Sequence, residues 1–385
     1  MHVALIDPSL FTLPYDAALA GGLQQGGHSV RLYGRCAGPD DNALNGAPLV
    51  ASFYRVADSR LVRRWPLPLR LAVKGADHAA SMAALVRRLA RERPDVIHFQ
   101  WLPLPALDAR FLRPLRRIAP LVLTVHDSNP FNGNPAAGLQ RRGVPDALRR
   151  FDRLIVHTQQ GQARLLAEGL PAAQIAVLPH GLLAEPQANS PSRLPDTMQG
   201  ELTFLLFGKI KPYKGVDLLI ESFARLPDAM RTQARLRVIG KPYMDLAPLR
   251  ALAERCGVTA RFSLEPRFVP DEELPELFAP GIIATFPYRE IEASGVLALA
   301  VAHARPILAT RLGGFAETIE DGTHGLLVPP EDVAALAGAM ARFVAERDFA
   351  ARCVRSVATL AGAIPDWGEI GRRTCDVYAA AGARA

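Results

Sequence analysis

Short apolar, β-branched runs alternate with longer helical patterns along this chain, and the alternation starts twice. Such a pattern builds parallel sheets from βαβ units. In the first half, His2–Asp7, Val30–Tyr33, Val96–Gln100, Leu121–His126, Leu154–His157 and Ile175–Leu178 predict strands, with helical stretches such as Asp16–Gln25 and His78–Arg93 between them. The segment LLAEPQANSPSRLPDTMQG, rich in Pro, Ser, Asn and Gln, predicts a linker. After it, strands are expected at Leu202–Phe207, Leu236–Ile239, Arg261–Leu264, Ile282–Phe286 and Pro306–Ala309. Helices are expected at Val216–Arg225 and Ala247–Cys256, and from Ser294, Gly313 and Glu331. The region around Gly38–Ser52 reads as a loop. The expectation is an α/β chain of two parallel-sheet domains facing across a cleft. The first covers 1–183, a linker 184–200, the second 201–363, and a C-terminal helix in 364–385 packs back on the first. Open α/β sheets take their ligands beyond the carboxyl ends of the strands.

Charge narrows the classes of partner. Residues 1–190 hold 22 Arg and Lys against 14 Asp and Glu, while the remainder is near balance at 23 against 24. A basic half suits phosphates or anionic headgroups. Its arginines are scattered through helical patterns with no aromatic-basic platform, so no nucleic-acid partner is expected. Cys36, Cys256, Cys353 and Cys375 are far apart and form no CxxC pair, which argues for thiols in a reducing compartment. No apolar run reaches the ~20 residues needed to span a bilayer, and MHVALID lacks the basic start of a signal peptide. The expected location is the cytoplasm.

Only five residues are lysine (Lys74, Lys209, Lys211, Lys214 and Lys241), yet three fall within FGKIKPYKG, Phe207–Gly215. The strand before this loop ends at Gly208, where backbone can approach a ligand closely. Lys209 and Lys214 flank a loop stiffened by Pro212, and a helix starts near Gly215. Two ammonium groups beside a helix N-terminus suit a diphosphate; the bland alternative is a solvated basic loop. The loop matches neither a Walker A nor a GxGxxG pattern. Further on, FPYREIEASG puts Glu290 and Glu292 in a loop and Ser294–Gly295 at the start of an apolar helix. The amides of Ser294, Gly295 and Val296 would point at an anion. Glu292 would either accept sugar hydroxyls or cap the helix. Gly313–Gly314, with Glu317 behind them, make a second close-approach loop or a tight turn.

These two segments in this order, followed by DGTHGLLVPP, resemble glycosyltransferase family 4, whose retaining, nucleotide-sugar-dependent members adopt the GT-B fold of two Rossmann-like domains. The resemblance covers nearly the whole chain and is strongest from Leu202 to Asp332. It implies transfer of a hexose from a nucleoside diphosphate sugar to a glycan or lipid-linked acceptor, as in polysaccharide or glycoconjugate synthesis. By the same resemblance Lys209 and Lys214 hold the diphosphate beside Gly208, with the amides of Ser294, Gly295 and Val296 facing the same anion, backbone at Arg267, Phe268 and Val269 meets the nucleobase, and Glu292 holds the sugar. His126, beside Asp127 in TVHDSNP, approaches the donor sugar or the reacting centre. Retention implies that a leaving phosphate oxygen takes the acceptor proton, without a glycosidase-type carboxylate pair. No metal and no cofactor beyond the donor are expected.

Two departures stand out. The family's Glu-x7-Glu motif has Glu292 and Gly295 in place, but Ala300 where the second glutamate would contact the ribose. The loop DPSLFTLPYD lacks the paired glycines common there; Gly21–Gly22 fall inside the next helix, where packing explains them. His98, His157 and His180 read as structural strand-end histidines. Finally, RLVRRWPLPLRLAVK, Arg60–Lys74, interleaves basic and apolar residues. It is either a contact for an anionic membrane at the inner face or a partly buried surface element, and its prolines argue against one continuous helix. The rival functions are a nucleotide-sugar epimerase and a non-catalytic nucleotide-sugar-binding subunit.

Overall fold

The computed structural model describes residues 1–38, 41, 44, 46–126, 143–186, 198 and 200–382. Asp127, most of the linker and the last three residues lie outside them. Contacts divide the chain into two units. One is Met1–Gly181 with the segment from Pro365 onward, the other Leu182–Ile364.

The first unit has a seven-stranded parallel sheet in the order β3-β2-β1-β4-β5-β6-β7. Its strands are β1 (His2–Ile6), β2 (Ser29–Arg35), β3 (Leu49–Phe53), β4 (Val96–Phe99), β5 (Leu121–Val125), β6 (Arg153–Val156) and β7 (Ile175–Val177). β1, β4 and β5 are buried along almost their whole length, as strands covered by helices on both faces must be. One correction concerns β3, which lies at the edge where a loop is expected. The basic stretch, as its prolines suggest, is not one continuous helix: a 3-10 turn, Val62–Arg64, precedes Pro66, and the helix Leu67–Glu92 begins after it with Pro68 in its first turn. Proline is accepted there because first-turn N–H groups have no partner within the helix.

The helix Trp367–Gly382 belongs to this first unit and packs on the helix Leu13–Gln25. Glycine makes the crossing possible. A Cβ on Gly22 would lie 1.9 Å from the carbonyl oxygen of Trp367, and one on Gly371 2.7 Å from the Gly22 carbonyl carbon. Gly21 meets nothing, so only the second glycine of the pair is there for packing.

In the second unit six parallel strands run β10-β9-β8-β11-β12-β13. They are β8 (Leu202–Phe207), β9 (Ala234–Ile239), β10 (Phe262–Glu265), β11 (Ile282–Phe286), β12 (Ile307–Thr310) and β13 (Gly325–Val328). β13 is absent from the strands read off the sequence. Its four residues, GLLV, are too few to show alternation, and register with β12 defines them. Two apolar clusters, one built around Phe204, Phe223 and Phe343 and the other around Phe278, Phe286 and Phe315, form the core of this unit.

Candidate functional site

In both sheets the strand order reverses at one place, between β1 and β4 and between β8 and β11. Loops diverge at such a switch point and leave a crevice for a ligand. In the second unit the two loops concerned are the lysine loop after β8 and the Glu292 loop after β11.

They touch closely. A Cβ on Gly208, at φ +102°, would lie 3.1 Å from both Lys214 Nζ and a Val296 methyl group. Gly208, Lys214 and the first turn of the helix Gly295–Ala302 therefore converge on one spot. Gly215, at φ +68°, holds its backbone so near the other loop that a Cβ there would sit 2.0 Å from the Pro287 oxygen.

Lys214 is the chemically unusual member. It is only 5% exposed, donates to the Phe207 carbonyl oxygen at 3.2 Å, and lies 5.1 Å from the centroid of the buried Tyr288 ring. Burial, then the charges of Lys209 and Lys211, push its ammonium down to about 7. An amine so poised gains its proton when an anion arrives.

Arg289 ties the loops together, a role its sequence position gave no hint of. Its amide donates to Tyr213 O at 2.7 Å. Its guanidinium reaches Pro212 O at 3.1 Å and both oxygens of Asp217 at 2.9 and 2.7 Å. Planar two-point pairing of this kind is what arginine does and lysine cannot.

The helix Gly295–Ala302 is capped by Ser294, whose Oγ accepts from the Leu297 amide at 3.2 Å. The capping alternative for Glu292 is thus taken by another residue. Glu292 is 5% exposed, and its carbonyl accepts from Gly314 N at 2.7 Å, which fastens the Gly313–Gly314 turn to the same loop. Ala300 is fully buried in the core, and its methyl group offers no polar atom to a ribose.

Phe268 and Val269 follow β10, with Val269 buried. The Arg267 side chain is engaged by Glu273 at 3.1 and 2.6 Å, which leaves backbone as the feature on offer there. Lys209 is half-buried in the lysine loop. Among the described residues no group of three or more His, Cys, Asp or Glu is placed to hold a metal ion.

His126 belongs to the first unit, just past β5. Its Nε2 lies 3.2 Å from Gln100 Oε1 and its Nδ1 3.2 Å from His157 Nε2. Burial, then neighbouring His157, His180 and His98, holds its pKa well below the usual histidine value. His98 is fully buried between Tyr378 OH and Thr124 Oγ1, each at 2.8 Å, and desolvation takes it down to about 3. His157, read as a structural strand-end histidine, is buried and hydrogen-bonded to the Leu178 carbonyl oxygen, and it also contacts His126 directly.

Comparison with known proteins fits these two units. Residues 14–181 match the family described as Glycosyl transferase 4-like domain, and residues 201–346 that described as Glycosyl transferases group 1. A D-inositol 3-phosphate glycosyltransferase of Acidothermus cellulolyticus is 30% identical over 291 residues, which is 69% of this chain and 63% of that protein. A GDP-mannose-dependent alpha-(1-6)-phosphatidylinositol monomannoside mannosyltransferase of Mycobacterium tuberculosis is 29% identical over 192 residues, 47% of this chain and 49% of that one. This chain therefore spans less than two thirds of the length of either relative. Among solved structures, Anabaena Alr3699/HepE in complex with UDP and glucose superposes with a TM-score of 0.73 at 18% identity, covering 98% of this chain and 99% of that one. Sucrose-phosphate synthase from Thermosynechococcus elongatus gives 0.74 at 19% identity, with 98% of each chain covered. At such identities the likeness is one of fold, and it agrees with the expected pair of Rossmann-like α/β domains.

Proposed function

Because the chain belongs to the group 1, family 4-like glycosyltransferases, we propose that it moves a sugar from a nucleoside diphosphate donor to an acceptor with retention of anomeric configuration. The observation that carries this reading is the buried Lys214 amine, which meets Gly208 close to Val296 at the switch point of the second sheet. A diphosphate seated there would meet Lys209, Lys214 and the first-turn amides of Gly295 and Val296. As the bond to the sugar breaks, negative charge grows on the departing phosphate. Donors already fixed in place stabilise it without reorganising, and one such donor is worth about 3 kcal/mol of barrier. Glu292 orients the sugar hydroxyls, backbone at Arg267–Val269 takes the base, and His126 is assigned to the sugar by the family resemblance. No cofactor beyond the donor is invoked.

The acceptor is proposed to be a glycan or a lipid-linked molecule, met in the cytoplasm. The solved Anabaena structure that holds UDP and glucose makes UDP the first nucleotide to try. No helix among the described residues is long and apolar enough to cross a membrane.

The test is a thermal-shift series with UDP, GDP and ADP on the full chain and on Lys214→Ala. At least one nucleotide should raise the melting temperature of the parent protein, and the substitution should abolish that rise. Absence of protection by all three would sink the proposal. Buried Ala300 favours one second reading, a subunit that binds the nucleotide sugar without turning it over. Protection by nucleotide with no transfer across an acceptor panel would select it.

A further inference from the structure

The helix Leu67–Glu92 outruns the domain that holds it. Along one stripe it buries His78, Met82, Leu85 and Leu89. Stepping back by four and seven residues, the same stripe continues through Lys74 to Leu71 and Leu67, where the core has ended. Leu67 is 63% exposed and Leu71 59%, and Leu61, Trp65 and Leu69 beside them are also exposed. Every residue from Arg64 to Ala72 is exposed. The first turns of the helix therefore project on all sides, with leucines pointing in several directions.

Charge says what such a projection meets. Between Asp58 and Asp77 the sequence has five basic residues and no acidic one, and Arg60, Arg64, Arg70 and Lys74 are all exposed. Two copies of this surface would repel one another. Leucines arranged around a knob do not suit a shaped protein groove, which would take a single face. A fluid apolar layer under a sheet of negative charge suits both features. Leucines enter it, tryptophan settles at its boundary, and arginines keep their stems in the apolar layer and their heads among phosphates.

We infer that Arg60–Lys74 is a membrane-docking element that inserts its leucines into an anionic bilayer while its basic residues bind the lipid headgroups. The element lies wholly in the first unit and stands apart from the diphosphate assignment.

The full chain is mixed with vesicles of phosphatidylcholine alone, or of equal parts phosphatidylcholine and phosphatidylglycerol, and sedimented at low and high salt. The parent protein should co-sediment with the anionic vesicles and not the neutral ones, and Trp65 emission should shift to the blue, a shift absent in Trp65→Phe. The triple variant Arg60→Ser/Arg64→Ser/Arg70→Ser should lose about a hundredfold in affinity for anionic vesicles, since each basic residue near the headgroups is worth about fivefold. Leu67→Ser/Leu69→Ser/Leu71→Ser should lose the part of binding that survives high salt. All six side chains are exposed, so both variants should keep the parent circular dichroism and the parent thermal response to nucleotide. The inference is overturned if the parent protein ignores anionic vesicles, binds neutral ones equally well, or binds unchanged in the leucine variant. It is equally overturned if sedimentation finds a dimer that the leucine variant turns into monomer, because the surface would then belong to a second copy.

Discussion

His157 stands directly behind His126, its Nε2 3.2 Å from His126 Nδ1 and its own Nδ1 3.1 Å from the carbonyl oxygen of Leu178. A carbonyl only accepts, so His157 carries its proton on Nδ1. Desolvation, then the neighbouring charge of His180, takes this ring down to about 3, so near neutral pH it has no second proton. Its Nε2 must accept, and His126 must donate from Nδ1. The lone pair of His126 is then on Nε2, and Gln100 satisfies it only with its carboxamide flipped, because its Oε1 is the atom 3.2 Å from that nitrogen and its Nε2 faces His98. In this arrangement His157 is a positioning residue that sets which nitrogen of His126 is bare.

Replacing His157 by Ala should lower kcat about tenfold, the lower end of what losing such an orienting partner costs, with little change in KM for the donor. Nitrogen NMR of the His126 ring should show the Nδ1–H form in the parent protein and a tautomer mixture in the variant. A variant with the parent kcat and a single tautomer would mean that the contact only packs.

Lys214 predicts a direction with pH. With its pKa held near 7 by burial and by Lys209 and Lys211, the empty site loses its positive charge as pH rises above 7. A bound diphosphate favours the ammonium and raises that pKa, so binding takes up a proton above pH 7 and affinity falls as pH climbs. The loss should approach tenfold per pH unit until the pKa of the complex is reached. Calorimetry in buffers of different ionisation enthalpy reads the proton directly. In Lys214→Met both the uptake and the slope should vanish; a slope that survives would assign the proton to another group.

Arg289 should matter to the donor more than to the fold. Its pairing with Asp217 and Glu331 is partly exposed, and such pairs contribute about 1 kcal/mol or less to stability. The bridge nevertheless ties together the two loops that are proposed to hold the donor. Arg289→Ala should raise donor KM several-fold with a small shift in urea midpoint, and Arg289→Lys should not rescue it, lacking the two-point fork. Equal losses in stability and binding would make the residue a plain structural tie.

Gly215→Ala should destabilise the second unit by roughly 3 kcal/mol, from left-handed backbone plus the collision with Pro287. Gly322 is a control, also left-handed at φ +81° but with nothing near its would-be Cβ. Alanine there should cost about 1 kcal/mol. Equal effects in urea unfolding would remove the close contact between the loops as the cause.

Much of the fold was readable because the signal was local. Buried parallel strands such as LTFLLF and IIATF are apolar runs bounded by glycine or proline, and three lysines in a chain poor in lysine draw the eye to one loop. What was missed depends on partners far away in sequence. Leu49–Phe53 is half-buried, LVASF has little alternation, and it becomes a strand by pairing with β2. Arg289 finds Asp217 across 72 positions, and His126 finds His157 across 31. The sequence offered Glu292 as a cap, and only the folded geometry shows that Ser294 takes that place.

The helix Trp367–Gly382 gives this chain an order of assembly. Its Tyr378 hydroxyl completes the partners of His98, and Ile370 and Tyr378 close over the apolar cluster of Leu19 and Leu23. These groups leave the ribosome after the sheet they cover, which is made first. Leu182–Ile364 is one continuous segment, while the earlier portion waits, its side unsealed, for the helix Trp367–Gly382. A stop codon just past Ile364 would thus injure the beginning of the protein and spare the middle.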